Sequence, residues 1–364
     1  MASNRGRRNE VETIALAVFA IVVVLLLYTF LIAGGTHPRL EDFHTFWLAG
    51  RDYLHHRDPY PARITGRIIH GEWFVYPAPV AALFVPLGAL PYSVAAGVMT
   101  VVLLAAICGA LLLLGVRDVR CYLVCLGSVV VLTAVNLGTM TPLLMLALAG
   151  CWRLRRRGWP LAATIAAAVL LKLFLWPLLV WCFVTGRRRV TVQALLITGV
   201  VSLVAWLPLA GSLTHYPSLL HQLAVHEAWA GYGVAGLAAS VGASHSAAAL
   251  VATAVLPLVG VSVWFAGRRL SERRAFAATI ALAVVGSPVV WLHYFALVFV
   301  CIALLSPAFS LAWFAPLVLW VTPWQQAWGD GWRIVLALVV FALPLAVRVA
   351  PWSRSAEARG IVSA

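Results

Sequence analysis

The sequence predicts an all-α polytopic membrane protein that forms a single transmembrane domain over residues 1–364. Hydrophobic residues make up 63% of the chain and charged residues 10%, whereas soluble globular domains contain roughly 45–50% and about 25%. Apolar runs recur along the whole chain at lengths that cross about 30 Å of hydrocarbon. These runs are continuous and do not alternate with polar residues, which favours helices over the strands of a barrel.

The formal net charge of +14 is carried by short arginine tracts between the apolar runs. Short basic loops of this kind are typical of the cytoplasmic side of a membrane protein. We therefore expect a plasma-membrane protein with both termini in the cytoplasm, and no nucleic-acid partner. The tracts contain Arg5, Arg7 and Arg8, residues 153–157, residues 187–189, and Arg268, Arg269, Arg273 and Arg274.

About twelve membrane crossings are expected. The first, over residues 13–33, is too long for a typical signal h-region, so we expect a retained signal anchor. The stretch 159–185 has arginine tracts on both sides, which favours a hairpin of two half-helices with Lys172 at its tip. The other expected crossings cover residues 74–90, 93–115, 121–150, 190–210, 246–266, 275–287, 294–305, 309–322 and 332–349.

The polar stretch 36–73 is predicted to be an outer loop. Apolar residues recur at helical spacing after Asp42, which indicates an amphipathic helix lying in the membrane interface. Glu41 and Asp42 then occupy its N-terminal end, where the helix dipole favours a carboxylate. Asp42 is either a helix cap or a general base that deprotonates an acceptor hydroxyl. The apolar positions are Phe43, Phe46, Trp47, Gly50 and Leu54.

Lys172 is the only lysine in the sequence and lies in the apolar run AAAVLLKLFLWPLL. An ionisable group at membrane depth is costly and usually functional. Its natural partner is an anion, either a carboxylate or a lipid phosphate. The alternative is a lysine that snorkels from the hairpin tip to the interface.

The segment SPVVWLHYF, residues 287–295, places His293 at an outer membrane boundary. An aromatic belt explains Trp291 and Tyr294, whereas His293 is either structural or a group that binds a phosphate oxygen or protonates a leaving group. The other histidines of the outer loops lack the spacing of a metal site. The sequence contains no HExxH, GxSxG or Walker-type motif. We expect no metal and no cofactor.

Five motifs follow one another between residues 36 and 300: DFHTFWLAGRDYLHHRDPY, FVYPAPVAALFVPLGALP, NLGTMTPLL, LLKLFLWPLL and SPVVWLHYF. In this order the chain resembles glycosyltransferase family 87, whose members are polyprenyl-phosphate-mannose-dependent mannosyltransferases of the membrane GT-C type. The resemblance implies a GT-C bundle, a polyprenyl-phosphate sugar as donor, and a glycolipid or lipoglycan as acceptor.

The resemblance also implies roles for individual residues. Asp42 corresponds to the family's acidic residue in the first outer loop, the general base. Lys172 and His293 correspond to groups at the donor phosphate, with Trp291 beside the histidine. Tyr76, which corresponds to the tyrosine of the family's Tyr-Pro pair, and Trp291 are substrate-binding candidates.

Other positions near these motifs are further candidates. Arg51 is a third cation for the donor phosphate, and Glu41 is a substrate-binding neighbour of Asp42. Asn136 is a substrate-binding candidate in NLGTMTP, a segment that lacks the family's glutamine. Val290 and Leu292 also depart from the family's Ser-Trp-Asp pattern. These departures affect sugar and acceptor identity more than the fold.

The sequence therefore predicts a metal-independent, inverting glycosyltransferase that transfers mannose on the non-cytoplasmic face. A pentosyl donor, such as an arabinofuranosyl lipid, is the main alternative within the enzyme class. A lipid or sugar transporter or flippase also explains many helices and an intramembrane lysine, but not the acid-rich outer loop. A non-catalytic assembly subunit is the third class.

Overall fold

The computed structural model describes residues 16–26, 28–29, 40–64, 73–323 and 325–346. Over these ranges the chain folds into α-helices and 3-10 helices, and they contain no strand. This confirms the all-α class for the described part of the chain. The ends of the predicted first crossing, residues 65–72 of the predicted outer loop and both termini lie outside it.

The α-helices of the described residues are numbered in chain order. They are α1 (Leu16–Leu26), α2 (Glu41–Leu54), α3 (Ala78–Leu83), α4 (Val85–Gly88), α5 (Tyr92–Leu113), α6 (Val119–Leu126), α7 (Val129–Asn136), α8 (Thr141–Arg153), α9 (Gly158–Leu171), α10 (Pro177–Val184), α11 (Arg188–Trp206), α12 (Ala210–Leu213), α13 (Tyr216–Glu227), α14 (Val234–Ser240), α15 (His245–Arg269), α16 (Glu272–Val285), α17 (Val298–Leu305) and α18 (Gly331–Ala346). Shorter 3-10 helices cover Leu173–Leu175, Leu207–Leu209, Ala228–Ala230, Leu292–Leu297 and Leu311–Val321.

Three helical stretches of the described residues are long and apolar enough to cross a membrane: α5, α15, and the stretch Arg188–Leu213 that joins α11 to α12. They coincide with three of the predicted crossings. Only 28–33% of the apolar window of each stretch is buried inside the protein. Their remaining apolar side chains face outward, as side chains in contact with lipid do.

The predicted crossing over residues 121–150 is not one continuous helix, because α6, α7 and α8 occupy this stretch. Helices α6 and α7 meet at an angle of 64°, and a turn at Gly138, where φ is +70°, separates α7 from α8. Glycine adopts this left-handed conformation without steric cost, so the turn ends α7 inside an otherwise apolar run. Composition alone does not reveal such a break.

Other predicted crossings are shorter than expected. The 74–90 segment forms α3 and α4, whose 11 residues from Ala78 to Gly88 extend about 16 Å, too little for about 30 Å of hydrocarbon. A proline lies at the start of each of these helices. The described residues thus provide three clear spans, or four if α6 and α7 form one bent span. Twelve crossings stay a prediction.

The stretch 159–185 forms two short helices, α9 and α10, that break at Lys172, as predicted. Both arginine tracts lie at the same end of this pair, because the Arg187 Nε donates a hydrogen bond of 2.8 Å to the carbonyl of Arg155. The Arg187 guanidinium also pairs with the carboxylate of Glu272. Three basic loops therefore meet at one end of the bundle, and Lys172 lies at the far end of α9.

Helix α2 forms where the outer-loop helix was predicted, and its apolar face packs against the protein. Trp47 Nε1 donates a hydrogen bond of 3.0 Å to the Leu90 carbonyl, and the Tyr53 hydroxyl donates one of 3.0 Å to the Ala205 carbonyl. At its N-terminus the amides of Asp42 and Phe43 donate to the Leu137 carbonyl, at 3.0 and 3.2 Å. The position of α2 relative to the bilayer stays a prediction.

Replacing Gly138 by alanine is expected to lower the free energy of unfolding by about 1–3 kcal/mol, because a non-glycine residue is strained at this φ. A Cβ atom there would also lie 2.6 Å from the Cβ of Phe43. Gly97→Ala is the matched control, since a Cβ at that position in α5 meets no atom within 4 Å. Thermal unfolding in detergent measures both. Equal unfolding temperatures for the two variants would show that the turn does not require glycine at position 138.

Candidate active site

One cavity of about 570 Å³ lies where the broken helices meet. Its wall combines the N-terminus of α2, the stretch 73–77 before α3, the break after α9, helix α13 and the 3-10 segment that contains His293. Six of the residues predicted from the sequence line it: Glu41, Asp42, Tyr76, Lys172, Trp291 and His293.

Asp42 lies in the first turn of α2 with its carboxylate at the cavity wall. The Leu137 carbonyl accepts the amides of Asp42 and Phe43, so the main chain satisfies two helix-end donors without using a side chain. No side-chain hydrogen bond caps this helix at Leu40. The Asp42 carboxylate therefore faces the cavity instead of serving as a cap.

Burial raises the pKa of the Asp42 carboxyl from its ordinary value of 3.8 to about 6. The positive charge of Lys172 opposes this increase, and the neighbouring Glu41 adds to it. Removing a carboxylate from water favours its protonated form, and a nearby cation favours the ionised form. A carboxylate with a raised pKa is a stronger base, which suits the role of a general base.

Lys172 is 9% exposed and has an extended backbone, with φ −151° and ψ 112°, that ends α9. Its ammonium donates a hydrogen bond to the Tyr294 hydroxyl. The same Nζ lies 4.8 Å from the ring centroid of Tyr76 and 4.2 Å from that of Tyr294. Two aromatic faces and one hydroxyl thus hold the cation at the cavity. It does not snorkel to the surface.

His293 is 2% exposed and lines the same cavity. Its Nδ1 forms a hydrogen bond of 3.0 Å with Oε1 of Gln325. Its Nε2 is buried and has no hydrogen-bond partner among the described residues. Because buried polar atoms are rarely left unpaired, this nitrogen is suited to bind a ligand.

Two predicted residues do not line the cavity. Arg51 follows Asp42 by nine residues, about 13.5 Å along α2 and half a turn around it. Arg51 is accordingly exposed, with its guanidinium 5.4 Å from the ring centroid of Trp47. Asn136 ends α7, and the adjacent Leu137 lines the cavity in its place.

Sequence reasoning missed two residues that the structure places at the site. Tyr294 was explained as part of an aromatic belt, although it is buried and contacts Lys172. Gln325 had no assigned role, yet it contacts His293. The pair Gln325 and Gln326 between apolar stretches was the available signal, since buried amides require partners. Within the described ranges, no group of three or more His, Cys, Asp or Glu residues could hold a metal ion.

A family model described as glycosyltransferase family 87 matches residues 74–292, more than half of the chain. The chain belongs to glycosyltransferase family 87. This membership confirms that the protein is a membrane glycosyltransferase, and thereby an enzyme. The matched residues include Tyr76, Lys172 and Trp291, whereas Asp42, His293 and Gln325 lie outside them. The comparisons with curated proteins and with solved structures found no match.

Replacing Tyr294 by phenylalanine is expected to lower kcat/KM of this glycosyltransferase about tenfold, because the Lys172 ammonium loses a hydrogen-bond partner inside the protein. Tyr122→Phe is the matched control. Its hydroxyl donates a 2.9 Å bond to the Val116 carbonyl, outside the cavity. Transfer assays on both purified variants measure the effect. Equal losses in the two variants would show that the Lys172–Tyr294 contact has no special role.

Proposed function

We propose that this glycosyltransferase moves a hexose, mannose in the first instance, from a polyprenyl-phosphate donor to a glycolipid or lipoglycan acceptor. The observation that carries the proposal is one cavity, among apolar helices, that is lined by both the Asp42 carboxylate and the Lys172 ammonium. Transfer of a sugar from a lipid phosphate needs a base for the acceptor and a cation for the leaving group. The fold is a GT-C bundle of about twelve crossings, with α2 lying in the interface.

The leaving phosphate lies against Lys172 and His293 in this proposal. Lys172 supplies the positive charge that stabilises the phosphate as the glycosidic bond breaks. His293 offers its Nε2, which has no partner within the described ranges, to a phosphate oxygen. Tyr294 holds the Lys172 ammonium in place. Arg51 is not part of this set, because it is exposed outside the cavity.

Asp42 acts as the general base of a single displacement. The acceptor hydroxyl oxygen bonds to the anomeric carbon while the proton of that hydroxyl passes to the Asp42 carboxylate. The bond from the anomeric carbon to the phosphate oxygen breaks, and its electron pair leaves with the polyprenyl phosphate. One displacement inverts the anomeric configuration, whereas retention requires a second, covalent step.

The active site faces the non-cytoplasmic side in this proposal. The basic loops that contain Arg155 and Arg187 meet at one end of the bundle. Lys172 lies at the other end of α9, whose 14 residues extend about 21 Å. Because basic loops are retained in the cytoplasm, the opposite end carries the site. The site is then reached by acceptors on the outer face of the plasma membrane.

The first test is transfer of radiolabelled mannose from polyprenyl-phosphate mannose to membrane glycolipids. The Asp42→Asn variant is expected to lower transfer by a factor of about 10²–10⁴, the usual contribution of a general base. Asp118→Asn is the matched control, since Asp118 pairs with Arg120 at the start of α6, outside the cavity.

The outcomes of this test decide three separate points: the role of Asp42, the identity of the sugar and the class of the donor. Full transfer by a folded Asp42→Asn variant would remove Asp42 from the mechanism. Transfer from a polyprenyl-phosphate pentose, but not from the mannose donor, would replace the sugar and keep the site. Failure of the wild type with every polyprenyl-phosphate donor would reject the donor class.

The pH dependence of kcat/KM provides a second test of the base. Because burial raises the pKa of Asp42 to about 6, the carboxylate is ionised above that pH and protonated below it. We therefore expect kcat/KM to fall as the pH decreases through about 6. A decline that begins only near pH 4, the ordinary range of an aspartate, would contradict the burial of the base.

A further inference from the structure

Main-chain hydrogen bonds join three chain segments next to His293, namely residues 230–232, 290–292 and 325–327. The amide of Leu292 donates to the Gln325 carbonyl at 3.1 Å, the amide of Tyr232 to the Val290 carbonyl at 2.7 Å, and the amide of Ala327 to the Ala230 carbonyl at 2.8 Å. The segment that starts at Gln325 lies beyond the family match. It nevertheless forms part of the wall of the active-site cavity.

The side chain of Gln325 fixes which nitrogen of His293 faces the ligand. Its Oε1 lies 3.0 Å from His293 Nδ1, and an amide oxygen can only accept a hydrogen bond. Nδ1 therefore carries a hydrogen in this contact. A proton taken up by the ring then enters at Nε2, the nitrogen without a partner in the described part of the chain.

Gln325 also has an unsatisfied donor. Its amide Nε2 is buried without a hydrogen-bond partner among the described residues, as is His293 Nε2. Both residues line the cavity that Lys172 also lines. Two buried nitrogens without partners among the described residues, on side chains that contact each other, indicate a place for ligand atoms, because most buried polar groups are paired.

We propose that Gln325 and His293 form a two-point subsite that binds oxygen atoms of the donor phosphate beside Lys172. The inference rests on the proposed polyprenyl-phosphate donor. The Gln325 amide nitrogen donates to one phosphate oxygen, and the ring of His293, held by the Gln325 oxygen, binds another. Lys172 supplies the charge, and the two neighbouring side chains supply directed hydrogen bonds.

Competition by polyprenyl phosphate that carries no sugar tests this subsite. Gln325→Met keeps the size of the side chain and removes both hydrogen-bonding groups. We expect it to raise the inhibition constant of polyprenyl phosphate and the KM of the donor about tenfold each, with the KM of the acceptor unchanged. Gln193→Met is the matched control, because Gln193 lies on α11 away from the cavity.

A charged variant separates phosphate binding from a structural role. Gln325→Glu keeps an acceptor oxygen for His293 Nδ1 and so keeps the fold, but it places a negative charge beside the phosphate. We expect an inhibition constant raised at least as much as in Gln325→Met. If Gln325→Glu instead binds polyprenyl phosphate like the wild type, the side chain only supports the histidine and the subsite is wrong.

A double-mutant comparison tests whether Gln325 and His293 act together. In the His293→Ala background, Gln325→Met is expected to cause a much smaller further loss than in the wild type, because the two side chains act as one unit. Fully additive losses would overturn the subsite. So would a change in donor KM without any change in the inhibition by polyprenyl phosphate, since the contact would then be with the sugar.

These results are distinguishable from failure of the proposed function. A wild-type enzyme that transfers no sugar from any polyprenyl-phosphate donor rejects the function itself. A wild-type enzyme that does transfer the sugar, with Gln325→Met folded and kinetically unchanged, rejects only the subsite. Thermal unfolding of each variant in detergent shows that the compared proteins are folded.

Discussion

Asp42 and Lys172 line one cavity inside a bundle of mostly apolar helices. Lys172 is buried and Asp42 is half-buried, so each charge depends on the groups that the protein brings to it. The chain meets this constraint by interrupting its helices at the cavity. It breaks after α9 at Lys172, turns at Gly138 after α7, and tightens into a 3-10 helix at His293.

Main-chain contacts, more than side-chain contacts, fix the geometry of the site. The Leu137 carbonyl receives the amides at the start of α2, and this frees the Asp42 carboxylate for the cavity. A close approach at Gly138, where no Cβ fits against Phe43, makes this contact possible. On the other side, Gly231 approaches Val290 so closely that a Cβ would lie 2.9 Å from its carbonyl oxygen. Two walls of the cavity thus depend on a glycine.

The residues of the site come from both inside and outside the family-matched segment. Lys172 and Tyr76 lie within it, whereas Asp42 precedes it and Gln325 follows it. Family membership therefore establishes a membrane glycosyltransferase, and the cavity supplies the argument for individual roles. Lys172 is supported by both the family match and the cavity. It lies within the matched residues, and it contacts both Tyr76 and Tyr294.

Features with a strong local signal were predictable from the sequence. Continuous apolar runs predicted α5 and α15, and the arginine tracts on both sides of Lys172 predicted the hairpin of α9 and α10. Breaks within apolar sequence were not predictable, because the Gly138 turn interrupts a run whose composition does not change. The contact of Gln325 with His293 joins residues 32 positions apart, so no local pattern encodes it. Arg51, in contrast, could have been excluded from the helical period alone.

In the proposed mechanism the transferred sugar lies between the Asp42 carboxylate, which acts as the base, and the Lys172 ammonium, which binds the phosphate. A structure of the Asp42→Asn variant in lipid nanodiscs with bound polyprenyl-phosphate mannose tests it most directly, since the variant preserves the donor. We expect a phosphate oxygen within about 4 Å of Lys172 Nζ, with the anomeric carbon between the phosphate and position 42. A donor phosphate bound at the opposite end of α9, among Arg155 and Arg187, would contradict it.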